Sequence, residues 1–142
     1  MLTKYEKMLD CVCESEVKYI STDCDIVPSH SITIDGYYGI YFNEAYFKTK
    51  EKRYVALAHE KAHCDTGTLY SINAPKIVKL YCEAKAWRRT IGDIVPLDEL
   101  IEVMPSCVYC GELDIYELAD KFEVTPEFMQ RAIAHYQNAN YL

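Results

Sequence analysis

The run Ala56-Leu57-Ala58-His59-Glu60-Lys61-Ala62-His63 constrains this chain more than any other stretch. It holds no helix breaker. On a helix, residues four apart project from the same face with β-carbons about 5–6 Å apart, so the imidazoles of His59 and His63 can converge on one metal ion. Ala56, Ala58 and Ala62 are small and apolar, which lets such a helix be buried, and a buried helix keeps two histidines and a glutamate only where they find partners. Glu60, next to the first histidine, reaches a metal-bound water without ligating the metal and is placed to take that water's proton.

An ion that keeps one position free for water needs a third protein ligand. The longer HExxHxxGxxH pattern is absent, since Thr66 and Leu69 stand where its glycine and third histidine would be. A carboxylate from a second helix is the alternative. If the chain turns back near Ser71-Ile72-Asn73-Ala74, an antiparallel partner helix sets residue 83 opposite both 59 and 63, which selects Glu83. Asp65, two residues after His63, points away from the ligand face, and Asp93 and Glu99 lie beyond the reach of a simple hairpin. Spacing alone leaves Glu83 equally readable as a solvated helix carboxylate.

Around this segment the periodicity separates into two textures. Leu2, Tyr5, Leu9 and Val12 fall at helical spacing and predict an opening amphipathic helix over 2–14. Val17-Lys18-Tyr19-Ile20, Ser31-Ile32-Thr33-Ile34 and Gly39-Ile40-Tyr41-Phe42 read as strands, with a tight-turn signal at Asp35-Gly36, which predicts a small N-terminal antiparallel sheet. Thereafter the pattern is helical, at about 49–66, 75–92, 97–104, 114–122 and 126–138. Pro75, Pro96 and Pro126 stand at first-turn positions, and Asp114 and Thr125 read as N-caps. The expected fold is α+β within one domain spanning 1–142.

Composition narrows the function classes. The chain has 142 residues, half of them apolar, with 22 acidic against 15 basic side chains. That balance disfavours general binding to nucleic acid. No run approaches the twenty apolar residues of a membrane span, the N-terminus carries charges where a signal peptide needs an apolar core, and the cysteines number seven, an odd set. A cytoplasmic protein with reduced thiols is the expectation.

With these residues in place the chain resembles the ImmA/IrrE family of small metallopeptidases, many of them encoded on phages and mobile elements. The resemblance runs over most of the chain and is carried by Ala58-His59-Glu60-Lys61-Ala62-His63, by Glu83-Ala84-Lys85-Ala86 followed by Ile94-Val95-Pro96, and by Tyr116 to Thr125. It departs at Ala62, where many relatives have glycine, and at Arg89, where they have an aromatic residue. It implies a zincin-like helical core with a C-terminal helical pair, a Zn²⁺ ion held by His59, His63 and Glu83, and Glu60 as general base. It also implies a partner, a helix-turn-helix repressor whose cleavage relieves repression. An antirepressor that keeps the metal site and acts by binding alone is the alternative. Tyr38, Tyr70, Tyr81 and His135 are all open as donors to a developing oxyanion, and Gly39–Phe42 is the expected sheet edge for an extended substrate.

Two other readings compete. Cys107 and Cys110 have a C-x-x-C spacing that Cys11 and Cys13 could complete to four thiolates around a structural zinc. The tail over 112–142 has the outline of a helix-turn-helix, but its six acids outnumber Lys121 and Arg131, leaving four net negative charges that repel phosphate. That tail is better suited to packing or to docking a protein.

Overall fold

Thr3 opens the first helix, α1 (Lys4–Glu14), through a capping box: its hydroxyl accepts from the Glu6 N–H while the Glu6 carboxylate accepts from Thr3 N–H. From there the computed structural model, which describes residues 1–142, runs through a three-stranded sheet and then a set of helices. The strands are β1 (Lys18–Ser21), β2 (Ser29–Ile34) and β3 (Tyr37–Phe42). Asp35 and Gly36, at φ 49° and 82°, close the β2–β3 hairpin with the two left-handed residues that match strand twist.

The sheet is mixed, which corrects the antiparallel expectation. Its order is β1-β3-β2, with β2 antiparallel to β3 but β1 parallel to it. Gly39–Phe42 therefore lies in the central strand and offers no edge. The reason is burial: Ile40 and Phe42 are completely buried and need flanking strands, whereas β1 begins and ends on the exposed Lys18 and Ser21. The segment 22–28 crosses over so that β1 and β3 run in the same direction. The free edges belong to β1 and β2.

The helices are α2 (Lys50–Thr66), α3 (Lys76–Ile94), α4 (Leu97–Val103), α5 (Ile115–Phe122) and α6 (Pro126–Asn138). Thr49, Asp114 and Thr125 each cap a helix with a side-chain oxygen that accepts from a backbone N–H. Between α4 and α5 a short hairpin, β4 (Val108–Tyr109) with β5 (Glu112–Leu113), adds strands that the periodicity does not predict. It turns on Cys110 and Gly111, both at positive φ. The architecture is α+β.

Helix α2 lies in the middle, with α1, α3 and the face of β2 and β3 packed around it. Ala58 and Ala62 on α2, and Cys82 and Ala86 on α3, are all buried and small enough for the two helices to approach closely. The buried faces of α5 and α6, including Leu118, Phe122, Met129 and Ala132, join the same core, and the Tyr136 hydroxyl donates to Val95 O at 2.7 Å to tie α6 to the end of α3. No helix is long and apolar enough to cross a membrane.

Candidate metal centre

The end of α2 is shaped by Gly67, at φ 65°, a left-handed conformation that costs an L-residue about 1–2 kcal/mol. Its reversal lets Thr68 N–H donate back to His63 O at 3.0 Å and sets Thr68 O and Oγ1 at 3.0 and 3.1 Å from His63 Nδ1. A β-carbon at position 67 would meet only the Tyr38 hydroxyl, at 3.6 Å, so Gly67→Ala carries the backbone cost alone. A thermal melt should show it as a loss of about 4 °C.

The contact with Thr68 O decides the His63 tautomer. A carbonyl only accepts, so Nδ1 carries the proton and the neutral ring presents a bare lone pair at Nε2. That Nε2 faces Glu83 Oε1 at 3.1 Å, and His59 Nε2 faces Glu83 Oε2 at 2.9 Å. A lone pair facing a carboxylate oxygen requires a proton or a metal cation between them. The three donor groups lie within 4.8 Å of one another, and no other set of three His, Cys, Asp or Glu side chains does so. Ligand atoms about 2.0–2.2 Å from a tetrahedral ion stand about 3.3–3.6 Å apart, so the two His–Glu separations need to open by a few tenths of an ångström and the widest pair, within 4.8 Å, needs to close. The residues fit a zinc-like ion.

Electrostatics follow the same geometry. Burial alone would raise the pKa of Glu83, but hydrogen bonds from His59, His63 and the Tyr70 hydroxyl, the last at 2.7 Å, hold it well below the usual carboxylate range. Burial would lower His63, yet the hydrogen bond and charge of Glu83 keep it above its ordinary value. Burial, with the Glu83 contact, pushes the Tyr70 phenol up, so it remains a donor at neutral pH.

Glu60 is buried at 7% exposure beside this group. Its Oε1 accepts from Ser31 Oγ at 2.7 Å and its Oε2 from Ser29 Oγ at 2.9 Å. Both serines sit on β2, two residues apart and so on one face of the strand. Sequence reading gave them no role; the signal that could have found them is the S-x-S alternation at the start of a strand. Ser31→Ala should lower stability by about 1–3 kcal/mol, since it strips a donor from a buried carboxylate, and denaturant melts would measure this.

A cleft of about 150 Å³ joins Glu60, His63 and Glu83 to Ser29, His30, Thr68 and Tyr70. Of the four candidate oxyanion donors only Tyr70 lies in it; Tyr38 and Tyr81 are exposed elsewhere, on β3 and α3, and His135 rests against Tyr136 on α6. On the other side of Glu60 and His59 an apolar pocket of about 460 Å³ is walled by Tyr46, Phe47, Val55 and Trp87. The cysteines do not assemble: Cys107 is buried, Cys110 is exposed on its hairpin, and Cys11 and Cys13 are exposed on α1. Comparisons with protein-family models, curated proteins and solved structures found no match to this chain.

Proposed function

We propose that this chain is a zinc-dependent endopeptidase with a zincin-like core, of the ImmA/IrrE kind, whose substrate is a helix-turn-helix repressor. One observation carries the reading: His59, His63 and Glu83 converge from two helices beside a buried Glu60, in a cleft flanked by a free strand edge. His59, His63 and Glu83 are the ligands, and mixed nitrogen and oxygen donors of this kind suit zinc. When bound, such an ion supplies a Lewis acid for the scissile carbonyl and lowers the pKa of water to about 7.

The chain's own residues do the rest. Glu60 takes a proton from water in the cleft and returns it to the departing amine, while Ser29 and Ser31 hold its carboxylate in one orientation. The Tyr70 hydroxyl, turned from Glu83, donates to the oxyanion that develops on the substrate carbonyl. The unpaired edge of β2 aligns an extended substrate backbone by strand addition, a role that the central position of β3 denies to Gly39–Phe42.

The test is incubation of the zinc-loaded protein with a helix-turn-helix repressor encoded beside it, followed by mass spectrometry of the fragments. A discrete cut that a chelator prevents is expected. An intact repressor under conditions where the protein holds one equivalent of zinc would count against the reading.

A further inference from the structure

The two histidines of the centre are held by different means. His63 Nδ1 is fixed by Thr68, but His59 Nδ1 is buried and has no hydrogen-bond partner, alone among the buried side-chain polar atoms. A metal-ligating imidazole almost always donates its second N–H to an acceptor, which sets the plane of the ring. Something else must set it at His59. The indole of Trp87, one helical turn beyond Glu83 on α3, lies face to face with that imidazole, with centroids 3.8 Å apart and planes at 21°. The opposite side of the indole is covered by the Arg131 guanidinium from α6, 4.1 Å from the ring centroid, and Arg131 makes no salt bridge. Three helices thus contribute one layer each to a stack that ends on the first histidine.

We infer that Trp87 is a positioning residue for the metal centre: its stacked face orients His59 in place of a hydrogen-bond acceptor, and Arg131 braces it from behind. The inference rests on His59 being a ligand, as proposed above. It differs from a core-filling role in what it requires. A filler acts through the stability of the fold, whereas a stacked plane acts on the affinity of the centre even when the fold is intact.

The experiment is a Co²⁺ titration of the full chain, read by visible absorption at a temperature where circular dichroism shows every variant folded. Trp87→Leu should weaken Co²⁺ about 10- to 100-fold, the loss usual when a ligating histidine loses its orienting partner. Trp87→Phe, which keeps an aromatic face, should recover to within about threefold of the original chain. Phe128 supplies the control: it packs against Trp87, centroids 6.0 Å apart, in the same core. Phe128→Leu should lower the melting temperature and leave Co²⁺ affinity within about threefold. Should Trp87→Leu not fold, Arg131→Met carries the test, with an expected weakening of about 2- to 5-fold.

Unchanged affinity in Trp87→Leu, or in Arg131→Met where it stands alone, overturns the inference. So does a Phe128→Leu loss as large as that of Trp87→Leu. Both results leave the metal centre standing. Failure of the original chain to take up Co²⁺ or Zn²⁺ removes the centre, and the inference with it.

Discussion

If the chain is the peptidase proposed above, Glu60→Gln should lower the rate of repressor cleavage by about 10²- to 10⁴-fold and leave its metal content unchanged. Glutamine keeps the volume of the side chain and one acceptor oxygen, so one of the two serine hydroxyls retains its partner. Its amide cannot accept a proton from water at neutral pH, which removes the base and little else. Because residue 60 donates no atom to the His59, His63 and Glu83 group, metal content measured by elemental analysis should not change. Cleavage followed by mass spectrometry and metal content followed on the same sample separate the two roles. Undiminished cutting would remove Glu60 from the mechanism. A variant that cuts nothing yet still relieves repression in cells would show that binding alone is the biological act.

Glu83→Ala should weaken metal binding by more than about 100-fold, beyond the loss caused by removing a partner that only orients a ligand. The substitution takes away the one side chain that faces both imidazoles, through a different oxygen in each case. It also deprives the Tyr70 hydroxyl of its acceptor. Zinc competition against a chromophoric chelator measures the effect directly. Without metal, the contact of Glu83 with His63 stabilises the fold only where the carboxylate is ionised and the imidazole protonated. Its contribution fades as pH falls through the depressed range of Glu83 and again as pH rises through the raised range of His63. The melting temperatures of metal-free Glu83→Ala and of the metal-free original chain should therefore draw closer at both ends of the pH scale, with the Tyr70 hydrogen bond leaving a residual difference on the alkaline side.

Local rules made much of this molecule legible. Helix α2, its burial and the caps at Asp114 and Thr125 follow from spacing and residue type, because a helix and its first turn are decided within a few residues. The meeting of Glu83 with His59 and His63 also follows from arithmetic, since an antiparallel helix pair around a short turn leaves little freedom of register. Strand order did not follow. Nothing within 17–42 marks β1 as parallel; that arrangement is settled by the need to cover Ile40 and Phe42 from both sides, a contest between distant residues. The serines that grip Glu60 escaped for a related reason, because a hydroxyl gains its meaning only from the helix packed against its strand. The β4–β5 hairpin is two residues per strand, too short for periodicity to register. Nothing in the sequence around Trp87 marks it, because its stacking depends on His59 from α2 and Arg131 from α6.

The stack on His59 has a practical consequence. Trp87 is the only tryptophan among the 142 residues, so the ultraviolet emission of the whole chain at tryptophan wavelengths comes from one indole pressed against a candidate ligand ring. Whatever binds, leaves or competes at that ring changes the quenching of this single fluorophore. The protein thus carries its own optical gauge, and occupancy can be followed in an unlabelled sample and in real time.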